Sequence, residues 1–554
     1  MSLSAIDYQI MWSRLIAVVE EQATTLIRTA FSTSVREAGD LSAGVFDIAG
    51  RMVAQAVTGT PGHVNAMAES VGHFIQQIGR DNIFEGDVYL TNDPWFGTGH
   101  LHDFTVVSPS FRSGRLIGFF ACTAHVVDIG GLGFGPDGND VHEEGLLIPI
   151  MKLADRGVIN NVLLKIVRGN VRAPDLVVGD MYSLAACNAA GDRRLQEMMT
   201  EFGLADIEAL SEYIMDSSRR ATRDAIARVP DGVYTNAMRI DGYDVPVDML
   251  VSLKIEGDRL GADFAGTSGM SRFGVNVPEV YTRAYACYGL KCAIAPDVPN
   301  NSGSLEPFEV SAPEGCILAA RRPAPVSTRH VIGHLVPDVV LGALHKALPG
   351  TVPAEGASAL WNIQISARPT DDNTRSAEVL MFNSGGMGAR PALDGLSATA
   401  FPSGVKTMSI EATEQVGPII VWRKELREGS GGAGQFRGGL GQVIEIEPRS
   451  GYNLFFNAMF DRIDHPARGR EGGLAGAPGS VGLADGTHLK GKGRQEVADG
   501  QRLVLKLPGG GGYGEPGRRD HKQVRADLAA GYITAEQAAR DYGFDGDEEK
   551  YDDR

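Results

Sequence analysis

The sequence predicts an α+β protein of several closely packed subdomains, with mixed sheets and a long N-terminal helix. Three observations carry that expectation. Residues 2–38 hold no glycine or proline, and Ile6, Ile10, Leu15, Val18, Val19, Ala23 and Leu26 recur at three- to four-residue spacing, the mark of an amphipathic helix. Further on, apolar runs flank short polar turns, as in hairpins. Glycine makes up 70 of the 554 residues, against a usual ~7%. Its short groups (Gly130-Gly131, Gly385-Gly386, Gly431-Gly432, Gly438-Gly439, Gly509 to Gly512) point to many tight turns in a loop-rich body.

Taken in order, Gly39-Asp40 ends the first helix and Ala43 to Ile48 reads as a short strand. A second helix covers 63–79, with Met67, Val71, Phe74, Ile75 and Ile78 on one face. Gly86-Asp87-Val88-Tyr89-Leu90 reads as a strand entering the polar turn Thr91-Asn92-Asp93-Pro94. Phe104 to Val107 and Leu116 to Val127 are the arms of a hairpin turning at Phe111-Arg112-Ser113-Gly114. Helical patterning over 180–222 precedes short strands in 232–264, bounded by Asp231-Gly232 and Asp241-Gly242. A helix around 280–294 and a Pro299-Asn300-Asn301 turn follow. Strands and glycine turns fill 358–515, including Gly441 to Glu447 and Leu503 to Leu507. Two short helices near 521–530 and 534–541 meet at Gly531, a helix C-terminal glycine. The acidic end, Asp545 to Arg554, reads as disordered. These elements suggest four regions with soft borders: 1–225, 226–357, 358–515 and 516–554.

Composition narrows the function. A formal net charge of −17 argues against nucleic acid or an anionic membrane as a partner, since phosphate binding needs a basic face. Cys122, Cys187, Cys287, Cys292 and Cys316 form no close pair, which suits a reducing compartment. No apolar run approaches 18 residues and no basic-then-apolar leader opens the chain, so a cytoplasmic protein is expected.

The chemistry concentrates in one hairpin. His100, His102, Asp103, His125 and Asp128 fall within 29 residues of a chain that has 12 histidines. Imidazole and carboxylate ligands suit zinc, manganese or iron. A hairpin turning about 112–113 places position 100 across from 125, and a shift of one places 102 there. Either register brings His125 to the 100–103 segment, because directly paired residues lie ~5 Å apart. Asp40 or Asp47 could add a carboxylate, and the spacing does not choose between them. Asp128 and Glu144 are candidates for orienting a ligand or moving a proton, since metal-bound histidine donates its other N–H to such a group.

Other motifs are incomplete. Gly486 to Gly491-Lys492 is followed by Gly493 where a phosphate loop needs a hydroxyl. Gly509 to Gly514 and Asn383 to Gly388 read as turns, and no GxSxG elbow occurs. His330 and His334 lack the glutamate of HExxH, with His345 further on, and read as core or surface histidines.

An ordered set of segments then carries a resemblance over nearly the whole chain. It comprises Gly86-Asp87-Val88 with Thr91-Asn92-Asp93-Pro94, Gly99-His100-Leu101-His102-Asp103, Ala124-His125-Val126-Val127-Asp128-Ile129-Gly130-Gly131 and Glu144-Gly145-Leu146-Leu147-Ile148-Pro149. Asn170-Val171-Arg172, Gly179-Asp180, Asp263 to Ser268, Pro299 to Gly303 and Pro508 to Gly514 continue it. The sequence resembles the hydantoinase B family: the B-type subunits of N-methylhydantoinase and caprolactamase, the C-terminal part of 5-oxoprolinase, and relatives in acetone and acetophenone carboxylases.

The resemblance implies a hydantoinase B-like fold and one divalent metal, zinc, manganese or iron, held by His100, Asp103 and His125 with Asp40 completing the set. His102 stands where the family usually has proline, and Val126 where histidine or an aromatic is frequent. The resemblance further implies an A-type ATPase partner in an A₂B₂ or larger assembly. That partner would use ATP to phosphorylate a hydantoin or lactam, whose ring this chain then opens with metal-activated water, Asp128 or His102 moving the proton. Two alternatives are a component of an ATP-dependent acetone- or acetophenone-type carboxylase, and a non-catalytic scaffold for the ATPase.

Overall fold

The N-terminal helix is built as its pattern predicts, but it stops early. In the computed structural model, which describes residues 4–57, 60–371 and 376–544, helix α1 runs Ala5–Thr29 and opens with a capping box between Ser4 and Asp7. Met11, Trp12, Leu15, Val18, Val19, Gln22, Ala23 and Leu26 form its buried face. A one-turn helix, α2 (Thr33–Arg36), follows a break. The break has a cause outside the segment: Asp180 accepts hydrogen bonds from the amides of Phe31 and Ser32 at 2.8 and 3.1 Å. Once those amides are taken, the chain turns and delivers Asp40 to the start of a sheet. The acidic end, 545–554, lies outside the described residues.

That sheet has seven strands: β1 (Leu41–Phe46), β2 (Met52–Gln55), β3 (Val88–Thr91), β4 (Asp103–Arg112), β5 (Arg115–His125), β6 (Met151–Asp155) and β7 (Val158–Ile159), in the order β2-β1-β5-β4-β3-β6-β7. Helix α3 (Pro61–Ile78) contributes Val64, Met67, Val71 and Phe74 to a core with Phe46, Tyr89, Val107 and Phe119. Helix α1 and a 28-residue helix, α4 (Pro174–Glu201), share the larger core with Val45, Phe104, Val106 and Phe120. Gln22, buried between them, donates to Asn188 (2.8 Å) and to the Ala121 carbonyl (3.1 Å), so its amide donors are satisfied.

The β4–β5 hairpin corrects the expected register. Its two-residue turn is Ser113-Gly114, with φ of 51° and 77°, the left-handed pair that a tight hairpin of this twist requires. Arg112 pairs with Arg115, and an irregularity between Ser110 and Phe111 shifts the register once more. Asp103 therefore faces His125, where the sequence placed residue 100 or 102.

The chain divides into two compact units. One comprises 1–237, 249–343 and 402–408, and the other 238–248, 344–401 and 409–554. The glycine-rich second unit contains two four-stranded sheets, one from Ile363–Pro369, Ala377–Met381, Tyr452–Met459 and Lys492–Val497, the other from Ile419–Leu426, Gln442–Pro448, Ser480–Leu483 and Leu503–Lys506. Trp361, Ile365, Phe456, Phe460 and Leu505 belong to their common core.

The grouped glycines of this unit do something other than turn. Gly385, Gly386, Gly431, Gly432, Gly438, Gly439 and Gly509 to Gly512 are absent from the left-handed backbone positions. Their segments lie backbone to backbone, linked by bonds such as Gly432 N to Gly510 O (2.9 Å), Gly439 N to Met387 O (2.8 Å) and Gly510 N to Gly439 O (3.0 Å). At Gly386, Gly438, Gly509 and Gly510 a Cβ would run into a neighbouring carbonyl. Among the described residues no helix is long and apolar enough to cross a membrane, and the five cysteines form no disulfide.

Candidate metal centre

Strand pairing assembles the centre. Leu41 pairs with Ala124, so Asp40 precedes β1 opposite His125, and the His125 amide donates to the Asp40 carbonyl at 3.1 Å. On the other side of β5, Asp103 pairs with His125. Asp40, His125 and Asp103 thus form one row across three adjacent strands.

His100 arrives from the loop before β4. Asn92 shapes that loop by donating to the carbonyls of Leu101 and Leu146, both at 2.8 Å, and accepting from the Ile148 amide at 2.6 Å. Gly99 has φ of 98°, and a Cβ there would come within 2.6 Å of the Arg329 side chain. Only glycine combines that backbone with that approach. His100, Asp103 and His125 each offer a ligand atom, and the three atoms lie within 4.8 Å of one another.

Asp103 is the hub and is fully buried. Its Oδ1 lies 2.7 Å from His100 Nε2 and 3.2 Å from His125 Nδ1. Its Oδ2 accepts from Thr98 Oγ1 and Arg329 Nη2, both at 2.6 Å, and lies 2.9 Å from His63 Nε2. Burial alone would raise this carboxyl, but its polar neighbours, His63 and the Arg329 guanidinium among them, outweigh it and hold it well below the usual carboxylate range. Burial pulls His63 down, yet Asp103 and Asp40 together carry it above its ordinary value.

His100 shows the chemistry of the donor set. The Ser327 carbonyl, 2.8 Å from Nδ1, can only accept, so Nδ1 carries the ring proton. Burial, then the Arg329 guanidinium, pushes His100 down to about 4. The neutral ring therefore turns the Nε2 lone pair toward the Asp103 carboxylate. Two acceptors facing each other in a dry site suit a cation between them. Two imidazoles and a carboxylate fit zinc, manganese or iron, and three protein ligands are the catalytic rather than the closed structural number.

The other sequence candidates have distinct places. Asp40 is outside the trio, accepts from Thr60 Oγ1 at 2.9 Å and lies 3.6 Å from His63 Nδ1. Asp47 is held by Arg51 and Ser211 at the β1–β2 turn. His102 is buried beside the trio, its ring stacked on His125 with centroids 5.3 Å apart. Glu144 reaches the centre indirectly: its Oε1 accepts from the amides of Val326 (2.6 Å) and Ser327 (2.7 Å), and the Ser327 carbonyl holds His100. Burial raises Glu144 to about 8, despite those two amides. Asp128 binds the Gly130 amide at 3.0 Å and the Arg172 guanidinium at 2.8 Å, with the Arg172 amide on its other oxygen. Those bonds fix the loop after β5.

Sequence reasoning missed His63 and Arg329. His63 sits in the first turn of α3, where Gly62 leaves room for the rings of Tyr281 and Tyr285. His330 and His334 are both buried and belong to the same neighbourhood, His330 packing on Phe134. The Gly62-His63 pair at a helix start was the one local signal, and it is not distinctive.

The profile of the family described as hydantoinase B/oxoprolinase matches residues 4–516. The chain belongs to that family. It is 30% identical to a putative D-/L-hydantoinase B-type subunit from a Pseudomonas strain, over 98% of this chain and 95% of that one. With the beta subunit of the Pseudomonas jessenii caprolactamase it shares 28% identity over 94% of this chain and 93% of the other. The solved ATP-dependent caprolactamase of Pseudomonas jessenii superposes with a TM-score of 0.89 at 26% identity, covering 99% of this chain and 98% of that one. A nucleotide-free acetone carboxylase structure, at 20% identity, shares the fold with a TM-score of 0.87 over 97% of this chain and 79% of that one. Both of these Pseudomonas relatives are named as subunits, and the solved caprolactamase is described as ATP-dependent.

Proposed function

We propose that this chain is the ring-opening, B-type component of an ATP-dependent hydantoin or lactam hydrolase, working with a separate A-type ATPase that phosphorylates the amide oxygen. The observation that carries the proposal is the buried trio, His100, Asp103 and His125, with ligand atoms within 4.8 Å of one another, in a chain related to hydantoinase and caprolactamase subunits. A non-catalytic scaffold has no need of it.

His100, Asp103 and His125 would hold a divalent ion, with Asp40 one strand away as the completing carboxylate. Bound there, such an ion supplies Lewis acidity and acidifies nearby water. The remaining work falls to the protein. Ser327 fixes the His100 tautomer, and Glu144 fixes Ser327, so we assign Glu144 to positioning. Arg329 and Thr98 hold Asp103 in place. His63, between Asp103 and Asp40, holds a proton at Nε2 beside the ligand set and is the group best placed to pass one to the leaving nitrogen, with His102 the next imidazole. We assign Asp128, already bound to Arg172, to holding its loop. Burial of the whole set keeps bulk water from competing with the intended attack.

Co-expression with the A-type ATPase tests this. The complex should open a hydantoin or lactam ring with ATP use that does not depend on bicarbonate. His100→Ala and His125→Ala should abolish ring opening while the partner continues to turn over ATP. Bicarbonate-dependent ATP use with a ketone would replace the hydrolase by a carboxylase, and wild-type ring opening in either variant would overturn the role of the centre.

A further inference from the structure

Three glycines close on one tyrosine ring, and each is followed by a histidine. Tyr281 lies in the helix Glu279–Ile294 and is 1% exposed. A Cβ at Gly62 would lie 2.5 Å from its Cε2, and one at Gly333 would lie 2.5 Å from its Cε1. At Gly99 a Cβ would lie 3.2 Å from the Tyr281 Cβ. Two opposite edges of the ring and its stem are thus each met by glycine backbone. The residues that follow those glycines are His63, His334 and His100. His63 Nε2 lies 2.9 Å from Asp103 Oδ2, His334 Nε2 lies 3.2 Å from the Tyr281 hydroxyl, and His100 belongs to the trio.

The face of the ring carries Arg329. Its guanidinium carbon sits 4.0 Å from the ring centroid, and the negative face of an aromatic ring attracts a desolvated cation. From that seat Nε donates to the Thr98 carbonyl at 2.7 Å and Nη2 to Asp103 Oδ2 at 2.6 Å.

These contacts decide which oxygen of Asp103 is left for a cation. Oδ2 accepts from Thr98 Oγ1 and Arg329 and lies beside His63. Oδ1 faces His100 Nε2 and His125 Nδ1, at 2.7 and 3.2 Å. A carboxylate free to turn about its Cβ–Cγ bond would exchange the two oxygens, and the groups on Oδ2 oppose that. Of those groups, Arg329 lies on Tyr281 directly and His63 is set against it through Gly62.

We propose that Tyr281 is a positioning residue for the His100–Asp103–His125 centre. Its ring sets Arg329 and the Gly62-His63 and Gly99-His100 segments, and through them presents Asp103 Oδ1 to a divalent cation. The hydroxyl, beside His334, is peripheral to that role. The inference rests on the metal reading of the centre for the identity of the ion.

Cobalt(II) binding by the full-length chain tests it, because cobalt accepts the same imidazole and carboxylate ligands and its visible spectrum reports their geometry. Tyr281→Leu should weaken cobalt binding about tenfold or more and change the spectrum, the effect expected when a group that orients a metal ligand is lost. Tyr281→Phe keeps the ring and should match wild type in both. Phe74→Leu, in the core under α3, controls for general loosening and should lower the thermal midpoint with cobalt affinity unchanged. Should Tyr281→Leu not fold, Tyr281→Met carries the same test. Wild-type affinity in Tyr281→Leu overturns the proposal, as does equal weakening in Tyr281→Phe or in Phe74→Leu. A crystal structure of Tyr281→Leu reads the same claim without metal: Arg329 Nη2 should leave Asp103 Oδ2, and an unmoved Arg329 overturns it. If wild type binds no cobalt while Arg329 moves in the variant, Tyr281 still positions Asp103 and the metal reading falls.

Discussion

The candidate-site end of the seven-stranded sheet and the glycine-rich interior of the second unit solve opposite problems. Around Asp103, side chains converge: three imidazoles, a guanidinium and a hydroxyl share one buried carboxylate. Around Gly509 to Gly512, side chains are excluded, and backbone amides and carbonyls pack directly on one another. The first region should be sensitive to the loss of groups and the second to the addition of them. Both are buried, so burial alone does not tell which kind of substitution a site will tolerate.

The largest effect should come from deleting the hub. Asp103→Ala leaves Arg329 and His63 buried without their partner, and breaking a buried pair this way costs about 3–5 kcal/mol. Urea denaturation should show that loss, and a cost under about 1 kcal/mol would mean the network is not a structural unit. In the glycine interior a single methyl group should suffice. Gly386→Ala forces a Cβ against the Gly439 carbonyl, and overpacking of this kind costs about 1–3 kcal/mol. Equal stability of wild type and Gly386→Ala would break the comparison.

A smaller effect, graded with pH, should follow from Glu144. Its folded pKa is raised from the ordinary 4.5 to about 8 by burial. The folded state therefore holds a proton that the unfolded state releases between those values. Stability from this group is present in full below about 4.5 and is lost as pH rises toward 8, by up to about 1.4 kcal/mol per pH unit. Glu144→Gln, which still accepts from Val326 and Ser327, should flatten that part of the stability profile. An unchanged slope in the variant would rule Glu144 out as its source. The smallest effect should have the opposite sign. Gly169 lies in the helix Asn161–Asn170 with open space at its Cβ position. Gly169→Ala should gain about 0.5–1 kcal/mol, readable as a raised thermal midpoint.

The contrast also explains what the sequence could and could not disclose. Periodicity located α1, α3 and the β4–β5 hairpin because each has one apolar face on a local core. It could not see that α1 ends at Thr29, since the cause, Asp180, lies far along the chain in α4. The trio at 100, 103 and 125 was legible because a hairpin brings its arms together whatever the register. The register itself was not, because the turn falls at Ser113-Gly114 and an irregularity follows. His63 and Arg329 come from distant helical and loop segments, and no local spacing ties them to Asp103. The grouped glycines of the second unit were read as turns because amide-to-carbonyl packing of glycine segments leaves the same composition as a series of turns.

The central claim is that His100, Asp103 and His125 form a metal centre, and metal content decides it most directly. The protein should be purified without chelator and measured by inductively coupled plasma mass spectrometry beside His125→Ala and His102→Ala. About one zinc, manganese or iron per chain is expected in wild type and His102→Ala, and none in His125→Ala. Equal metal in wild type and His125→Ala, or none in wild type even when co-purified with the proposed A-type ATPase, would contradict the account.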